Sequence, residues 1–185
     1  MPSRDAAKAS ELKFLRARME MASSVEWRSF WEAQVLILEG DVKAGFERLR
    51  ELETASDAEL AAAVLIVLAD DLREHGDVAK AAAAYRAAAE KNRMSSLAML
   101  RLGECLMGLR SYEEAQLAFE DAVARLQPSR LEGLEPIVEG YVNLVLRSQG
   151  QEAAQVLLQR FIDEYPDRPA LERLHETLRN PDKDH

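Results

Sequence analysis

The sequence contains very little of several residue types. Its 185 residues include one cysteine, two tryptophans and 6% aromatic residues. Because the single Cys105 excludes an intramolecular disulfide and suits a reducing compartment, we expect a cytoplasmic protein. The longest apolar run, Leu60 to Ala69, is far shorter than the roughly 20 residues of a transmembrane helix. The N-terminal residues also lack the apolar core of a secretory signal, so no membrane insertion or export is expected.

Basic residues are in deficit, with 24 Lys and Arg against 33 Asp and Glu and a net charge of −9. No Lys/Arg cluster would form a basic face, so we exclude a nucleic-acid partner. The sequence has no phosphate-binding glycine loop, positioned nucleophile or cofactor motif. Asp71 and His75 share a helix face, but no second histidine lies near them in sequence. We therefore predict no catalytic residue, no cofactor and no metal site.

What the sequence does contain is helical periodicity. Hydrophobic residues make up 48% and include many alanines, which favour helices that approach one another closely. In the first helix, Leu12, Leu15 and Met19 fall on one face. The apolar spacing and the turn residues predict ten helices at 5–22, 26–39, 42–53, 58–75, 78–92, 96–109, 112–126, 137–149, 151–165 and 170–179.

Local signals mark several helix ends. Ser56 with Glu59 and Ser111 with Glu114 match the capping-box pattern, in which each side chain satisfies a backbone N–H of the first turn. Gly76 is expected to end helix 58–75 in the left-handed conformation. Pro128 is expected to stop the helix at 112–126.

A segment of 34 residues occurs twice in succession between Ala62 and Ser129. Small and aromatic residues recur at fixed offsets, and the matching pairs are Gly76 and Arg110, Ala81 and Ala115, Tyr85 and Phe119, and Ala88 and Ala122. A period of this length with this pattern predicts an array of helix–turn–helix repeats.

The repeat resembles the tetratricopeptide repeat. The clearest unit reads Met99-x-x-Leu102-Gly103-x-x-Leu106, with Ala115-x-x-x-Phe119 in its second helix. The resemblance implies an all-α fold, a right-handed superhelical array of antiparallel helix pairs. The predicted units are 26–59, 62–95, 96–129 and 135–168, of which the first and last are degenerate, with helices at 5–22 and 169–180 as caps. An alternative for helix 5–22 is a movable segment that occupies the groove or exchanges between subunits.

In this family the first helix of each unit lines a concave groove. The resemblance places partner-binding residues at Trp27, Phe30, Ile66, Asp70, Arg73, Leu97, Leu100, Glu104, Met107, Asn143 and Arg147. The lysine and asparagine clamp of chaperone-binding members is absent, so an acidic chaperone tail is not expected as the partner. The groove is expected to be apolar at one end and acidic in the middle. It would suit a peptide or amphipathic helix with apolar and basic residues.

Other interpretations of these residues are less specific. Trp27 and Trp31 could simply pack beneath the N-terminal helix, because exposed large aromatics are uncommon. Acidic residues on a helix face are usually solvated, and Met107 is of a type that often fills a core.

Three hypotheses for function follow. The first is a non-enzymatic scaffold or adaptor that binds a protein segment in the groove. The second is a dedicated cytoplasmic chaperone for a secreted or assembling client, because the chain resembles small acidic secretion chaperones that carry a leading helix. The third is a self-assembling module whose homo-oligomers form through the convex face or through the helix carrying Phe14 and Met21.

Overall fold

The computed structural model describes residues 4–126 and 131–179. These residues form ten α-helices and a short 3-10 turn at Leu131–Gly133, and contain no strand. All ten helices lie within three residues of the predicted bounds. They are α1 Arg4–Glu20, α2 Val25–Glu39, α3 Val42–Glu51, α4 Ala58–Glu74, α5 Val78–Lys91, α6 Ser96–Gly108, α7 Tyr112–Ala124, α8 Leu134–Gln149, α9 Gln151–Glu164 and α10 Pro169–Arg179.

The helices pack as a solenoid of consecutive pairs, which confirms the predicted fold class. The pairs are α2 with α3, α4 with α5, α6 with α7 and α8 with α9. At the two ends, α1 packs on α2 and α10 packs on α8 and α9, as caps would. Within the described residues, no helix is long and apolar enough to cross a bilayer.

The chain connections agree with the predicted stops where they are described. Gly76 has a φ of +85°, the left-handed conformation that favours glycine after a helix. Helix α7 ends at Ala124, whereas Pro128 lies outside the described residues. The ends of the predicted ranges 96–129 and 169–180 lie outside them as well.

The predicted capping box of Ser56 is wrong. The N-cap of α4 is Asp57, whose Oδ1 accepts hydrogen bonds from the backbone N–H groups of Glu59 at 2.9 Å and Leu60 at 3.1 Å. One carboxylate oxygen thus serves two of the unpaired donors of the first turn, and its charge suits the helix N-terminus. Ser56 lies one residue too early to do so.

The capping box of Ser111 is also wrong. Ser111 occupies the N-cap position of α7, but its side chain makes no capping hydrogen bond. Glu114 does not reach back to it, because its Oε2 accepts a hydrogen bond from Arg86 of α5 at 3.0 Å. The hydrogen bond between Arg86 of α5 and Glu114 of α7 thus replaces the predicted capping bond within α7.

Close approach between units depends on Phe119. An added Cβ on Gly103 of α6 would lie 3.0 Å from the Phe119 ring, and one on Gly140 of α8 would lie 2.7 Å from it. The ring also stacks on Tyr141, with centroids 6.0 Å apart. Phe119 therefore fills the space between units three and four, as predicted, and two glycines make that space.

The first unit has its own close approach. Gly45 of α3 lies against α2, where an added Cβ would meet the Ala33 carbonyl oxygen at 2.7 Å. Phe30, Ala33 and Leu49 form a hydrophobic cluster there with Leu60 and Val64 of α4. The other end of α4 joins a second, larger cluster through Ala69. Helix α4 therefore links the two clusters and fixes unit one against unit two.

The Tyr141 phenol should make stability depend on pH in the alkaline range. Burial, and then its hydrogen bond to Glu120 Oε1 at 2.7 Å, raise the pKa of Tyr141 from 10.0 to about 12. Since the folded chain favours the neutral phenol, this contribution is complete below pH 10 and is lost as pH rises through about 12. We expect the free energy of unfolding, measured by urea denaturation, to fall across this window less steeply in Tyr141→Phe. Equal slopes in the two proteins would contradict the assignment.

Candidate functional site

The first helices of successive units form one side of the solenoid. Helix α2 contacts α4, α4 contacts α6, and α6 contacts α8. Side chains that point away from the second helices therefore line a common surface, which we call the groove. The groove has two parts with different chemistry, an apolar cleft at its N-terminal end and a charged network in its centre.

The apolar part is a cleft of about 380 Å³ between α2, α4 and the start of α6. We call it the aromatic cleft. Its apolar lining comes from three units' first helices, and comprises Trp27, Phe30, Trp31, Ala62, Ala63, Ile66, Val67 and Leu97. Its polar lining comprises Arg18, Gln34, Glu59, Asp70, Asn92 and Ser95.

The three aromatic rings of α2 hold one another in place. Trp27 and Trp31 stack with centroids 6.1 Å apart, and Phe30 packs edge-on against them at 5.5 and 4.9 Å. Trp27 Nε1 also donates a hydrogen bond to Asp57 Oδ2 at 2.9 Å. The indole is therefore oriented by α4, which makes it a rigid wall of the cleft.

The edge of the cleft carries a cation and an unpartnered amide. The Arg18 guanidinium of α1 lies over the Trp31 ring, 4.9 Å from its centroid. Gln34 Nε2 is buried and has no hydrogen-bond partner within the described residues. A buried donor left in this state costs free energy, so it would gain from an acceptor supplied by a bound molecule.

The centre of the groove is a network of two acids and two arginines. Glu104 accepts hydrogen bonds from Arg73 at 3.2 Å and from Arg101 at 2.9 Å. Asp70 lies 3.7 Å from the Arg73 guanidinium and 3.9 Å from that of Arg101. Within this network the charges of the two acids and the two arginines balance.

A tyrosine fixes the other side of this network. Tyr85 is fully buried and its hydroxyl donates a hydrogen bond to Asp70 Oδ1 at 2.5 Å. Burial, and then this bond, raise the pKa of the Tyr85 phenol. Burial likewise raises the pKa of the neighbouring Cys105, which keeps that thiol protonated and unreactive. Tyr85 therefore helps to hold the network in place. A charged partner would have to compete with the existing ion pairs.

The structure brings five of the eleven predicted residues together in the aromatic cleft: Trp27, Phe30, Ile66, Asp70 and Leu97. Arg73 and Glu104 lie in the central network. Leu100 is 5% exposed, packs toward Gly140 and lies outside the cleft lining, so its role in binding stays a prediction. Met107, Asn143 and Arg147 lie outside the cleft lining, and their role in binding stays a prediction.

The sequence did not identify two residues of the groove, Trp31 in the cleft and Arg101 in the central network. Trp31 was assigned to packing beneath the N-terminal helix, and it does contact Arg18 there, yet it also lines the cleft. Arg101 is not at a groove position of the repeat, although its place three residues before Glu104 on one helix is a signal for an ion pair. Trp31 lines a space between helices, so a pattern along one helix does not reveal it, whereas the pair of Arg101 and Glu104 lies within α6 and its spacing is visible in the sequence.

Comparison with known proteins gives a family match over part of the chain and similar folds over most of it. Residues 66–130 match the model of the tetratricopeptide repeat. A thermophilic TPR protein of Thermus thermophilus superposes with a TM-score of 0.61 at 15% identity, covering 92% of this chain and 90% of that one. A double mutant of MamA RS-1 gives a TM-score of 0.61 at 15% identity, covering 89% of each chain. A comparison with curated protein sequences gives no match.

The matched range overlaps the two central helix pairs of the solenoid. The matched range 66–130 contains the paired positions Tyr85 and Phe119, and the similar structures extend the likeness to the flanking units. This fold is in general a non-enzymatic scaffold for protein–protein interaction. Residues 66–130 therefore match the tetratricopeptide-repeat family, and the fold of the whole chain is similar to those of the two solved structures.

Proposed function

We propose that this chain is a scaffold that binds a segment of a protein partner in the aromatic cleft. The observation that carries the proposal is the cleft itself, where side chains of three units surround about 380 Å³ of space. Such a concave apolar site with a few polar groups at its edge is the usual form of a binding pocket. An amphipathic helix or an extended segment could enter along the groove.

The lining defines the chemistry of that segment. Trp27, Trp31 and Leu97 favour one large apolar side chain as the anchor, because buried aromatic contacts contribute most to such interfaces. The unpartnered Gln34 amide suits a backbone carbonyl next to the anchor. Glu59 is exposed at the edge of the cleft and suits a Lys or Arg. The basic residue is thus proposed to approach Glu59 and not the neutralised Asp70 and Glu104.

Leu97→Lys should weaken this binding, because Leu97 is 46% exposed at the edge of the cleft. The change removes an apolar contact and places a positive charge beside a basic partner. The matched control is Leu109→Lys, since Leu109 is 44% exposed at the other end of the same helix, where a cation is favourable.

The probe is a peptide selected from a random display library on the wild-type chain and then synthesised. Both tryptophans of the chain line the cleft, so their fluorescence reports its occupancy directly. We expect the selected peptides to share a large apolar residue near a Lys or Arg. Leu97→Lys should raise the Kd about tenfold or more, with the control within about twofold. Equal weakening by both substitutions would place the site elsewhere.

A chaperone for a client protein is the second candidate. The observation that favours it is α1, which packs on the first unit here; the secretion chaperones that the sequence resembles also carry a leading helix before their repeats. The buried, protonated Cys105 is compatible with a cytoplasmic location for either function. Co-expression with candidate clients separates the two functions, because only a chaperone should keep an otherwise insoluble client in solution.

A further inference from the structure

The outer face of α1 carries apolar side chains that nothing in the described chain covers. Leu15 is buried on the side of α1 that packs against α2, with Leu12 and Met19 half-buried beside it. On the other side, Phe14 is 59% exposed and Met21 is 82% exposed. A terminal cap of a solenoid usually presents a polar outer face, so these two side chains call for a physical explanation.

Their spacing is that of a coiled-coil core. Ser10, Phe14 and Ala17 of α1 are followed by Met21 at intervals of four, three and four residues, and all four are exposed. Met21 directly follows the last residue of α1, and its backbone N–H still donates to the Ala17 carbonyl at 3.1 Å. This spacing keeps them in one stripe along the helix. The stripe alternates small and large side chains. A second copy of the same helix in antiparallel orientation would set Phe14 over Ala17 and Met21 over Ser10, whereas a parallel copy would set large side chains against large ones.

The charges beside the stripe select the same orientation. Glu11 and Arg18 lie along one edge, and Lys13 and Glu20 lie along the other; all four are exposed. In an antiparallel pair, each edge meets the same edge of the partner helix, so Glu11 faces Arg18 and Lys13 faces Glu20. A parallel pair would instead bring Lys13 close to Arg18, a contact of like charges.

We infer that α1 is the interface of a symmetric homodimer, in which the outer stripes of two copies pack antiparallel. The interface is isologous, because each copy contributes the same residues. Each α1 is already held by α2, so the contact joins two preformed helix pairs and does not need isolated helices to fold. The exposed ion pairs contribute little affinity and mainly set the orientation. The four stripe residues do not line the aromatic cleft, although Arg18 at one edge of the stripe does, so the inference rests on other observations than the proposed function.

The first test is sedimentation equilibrium of the full chain over a range of concentrations. We expect a monomer–dimer equilibrium in the wild type, and a Kd raised about 100-fold or more in Phe14→Glu, because a carboxylate replaces the central apolar contact. The control is Leu117→Glu, since Leu117 is 64% exposed on α7 and outside the stripe, and its Kd should match the wild type. Circular dichroism checks that both variants stay helical.

A charge exchange tests the antiparallel register. Lys13→Glu and Glu20→Lys should each raise the dimer Kd roughly tenfold, because each change creates two like-charge contacts in the symmetric pair. The double variant should return the Kd to near the wild-type value. A wild-type chain that stays monomeric at about 1 mM, a dimer that survives Phe14→Glu, or a double variant no better than the single ones would each overturn the inference.

Discussion

Replacing Phe119 with alanine is expected to lower the free energy of unfolding by about 3–5 kcal/mol. The ring is fully buried between α6 and α8, where a Cβ added to Gly103 or Gly140 would lie 3.0 or 2.7 Å from it. Because both glycines lack side chains that could move into the space, the variant keeps most of the resulting cavity. Loss of the stacking contact with Tyr141 adds to the cost.

Urea denaturation followed by circular dichroism measures this change. Leu117→Ala is the matched control, because Leu117 lies two residues away on the same helix and is 64% exposed. We expect it to change stability by less than about 0.5 kcal/mol. Similar losses in the two variants would mean that Phe119 does not link units three and four.

The second large effect is expected at Gly45. Although alanine is intrinsically the better helix former, Gly45→Ala should destabilise the chain by about 1–3 kcal/mol through overpacking. The new Cβ would lie 2.7 Å from the Ala33 carbonyl oxygen and 3.2 Å from the Ile37 backbone nitrogen. Backbone atoms cannot rotate away as a side chain does, so α2 and α3 would have to separate.

Gly108→Ala gives the opposite sign and serves as the control. An added Cβ on Gly108 meets no atom within 4 Å, at the end of α6. We expect a gain of about 0.4–1 kcal/mol, because alanine restricts the unfolded chain more than glycine does. Thermal denaturation of both variants measures the difference, and a stabilised Gly45→Ala chain would contradict the close packing of α2 on α3.

The helices and their pairing could be predicted because the signals are local or periodic. The 34-residue spacing of Tyr85 and Phe119 set the register of the two central units, and both side chains are fully buried as that register requires. Gly76 ended α4 through its own backbone preference. These signals lie within one turn or one repeat, so they can be recognised without knowledge of tertiary contacts.

The charged network could not be predicted in the same way. Arg73 and Glu104 are 31 residues apart and on different helices, so their pairing depends on the angle between α4 and α6. The groove positions of the family include Asp70 and Glu104. They do not include Arg101, whose positive charge offsets those of the two acids. Charge balance in a solenoid groove is a property of neighbouring units together.

Only part of the candidate site could be predicted from the sequence, and the reason is similar. The position rule selected Ile66 and Leu97, which do line the cleft, but it also selected the buried Leu100. Leu100 faces α8 because Gly140 leaves room for it there, and that glycine lies outside the repeat pattern of its own unit. Close packing between units thus buries Leu100 beside α8.

The sharing of α4 between two hydrophobic clusters has a consequence for cooperativity. In a linear array each unit is stabilised by its neighbours alone, so partial unfolding can begin at an end and proceed inward. Leu60 and Val64 belong to the N-terminal cluster, while Ala69 belongs to the larger one. Opening the first unit therefore exposes one half of a helix whose other half stays folded. A destabilising change in the first unit should thus reach the second unit through α4, and the later units only through the second.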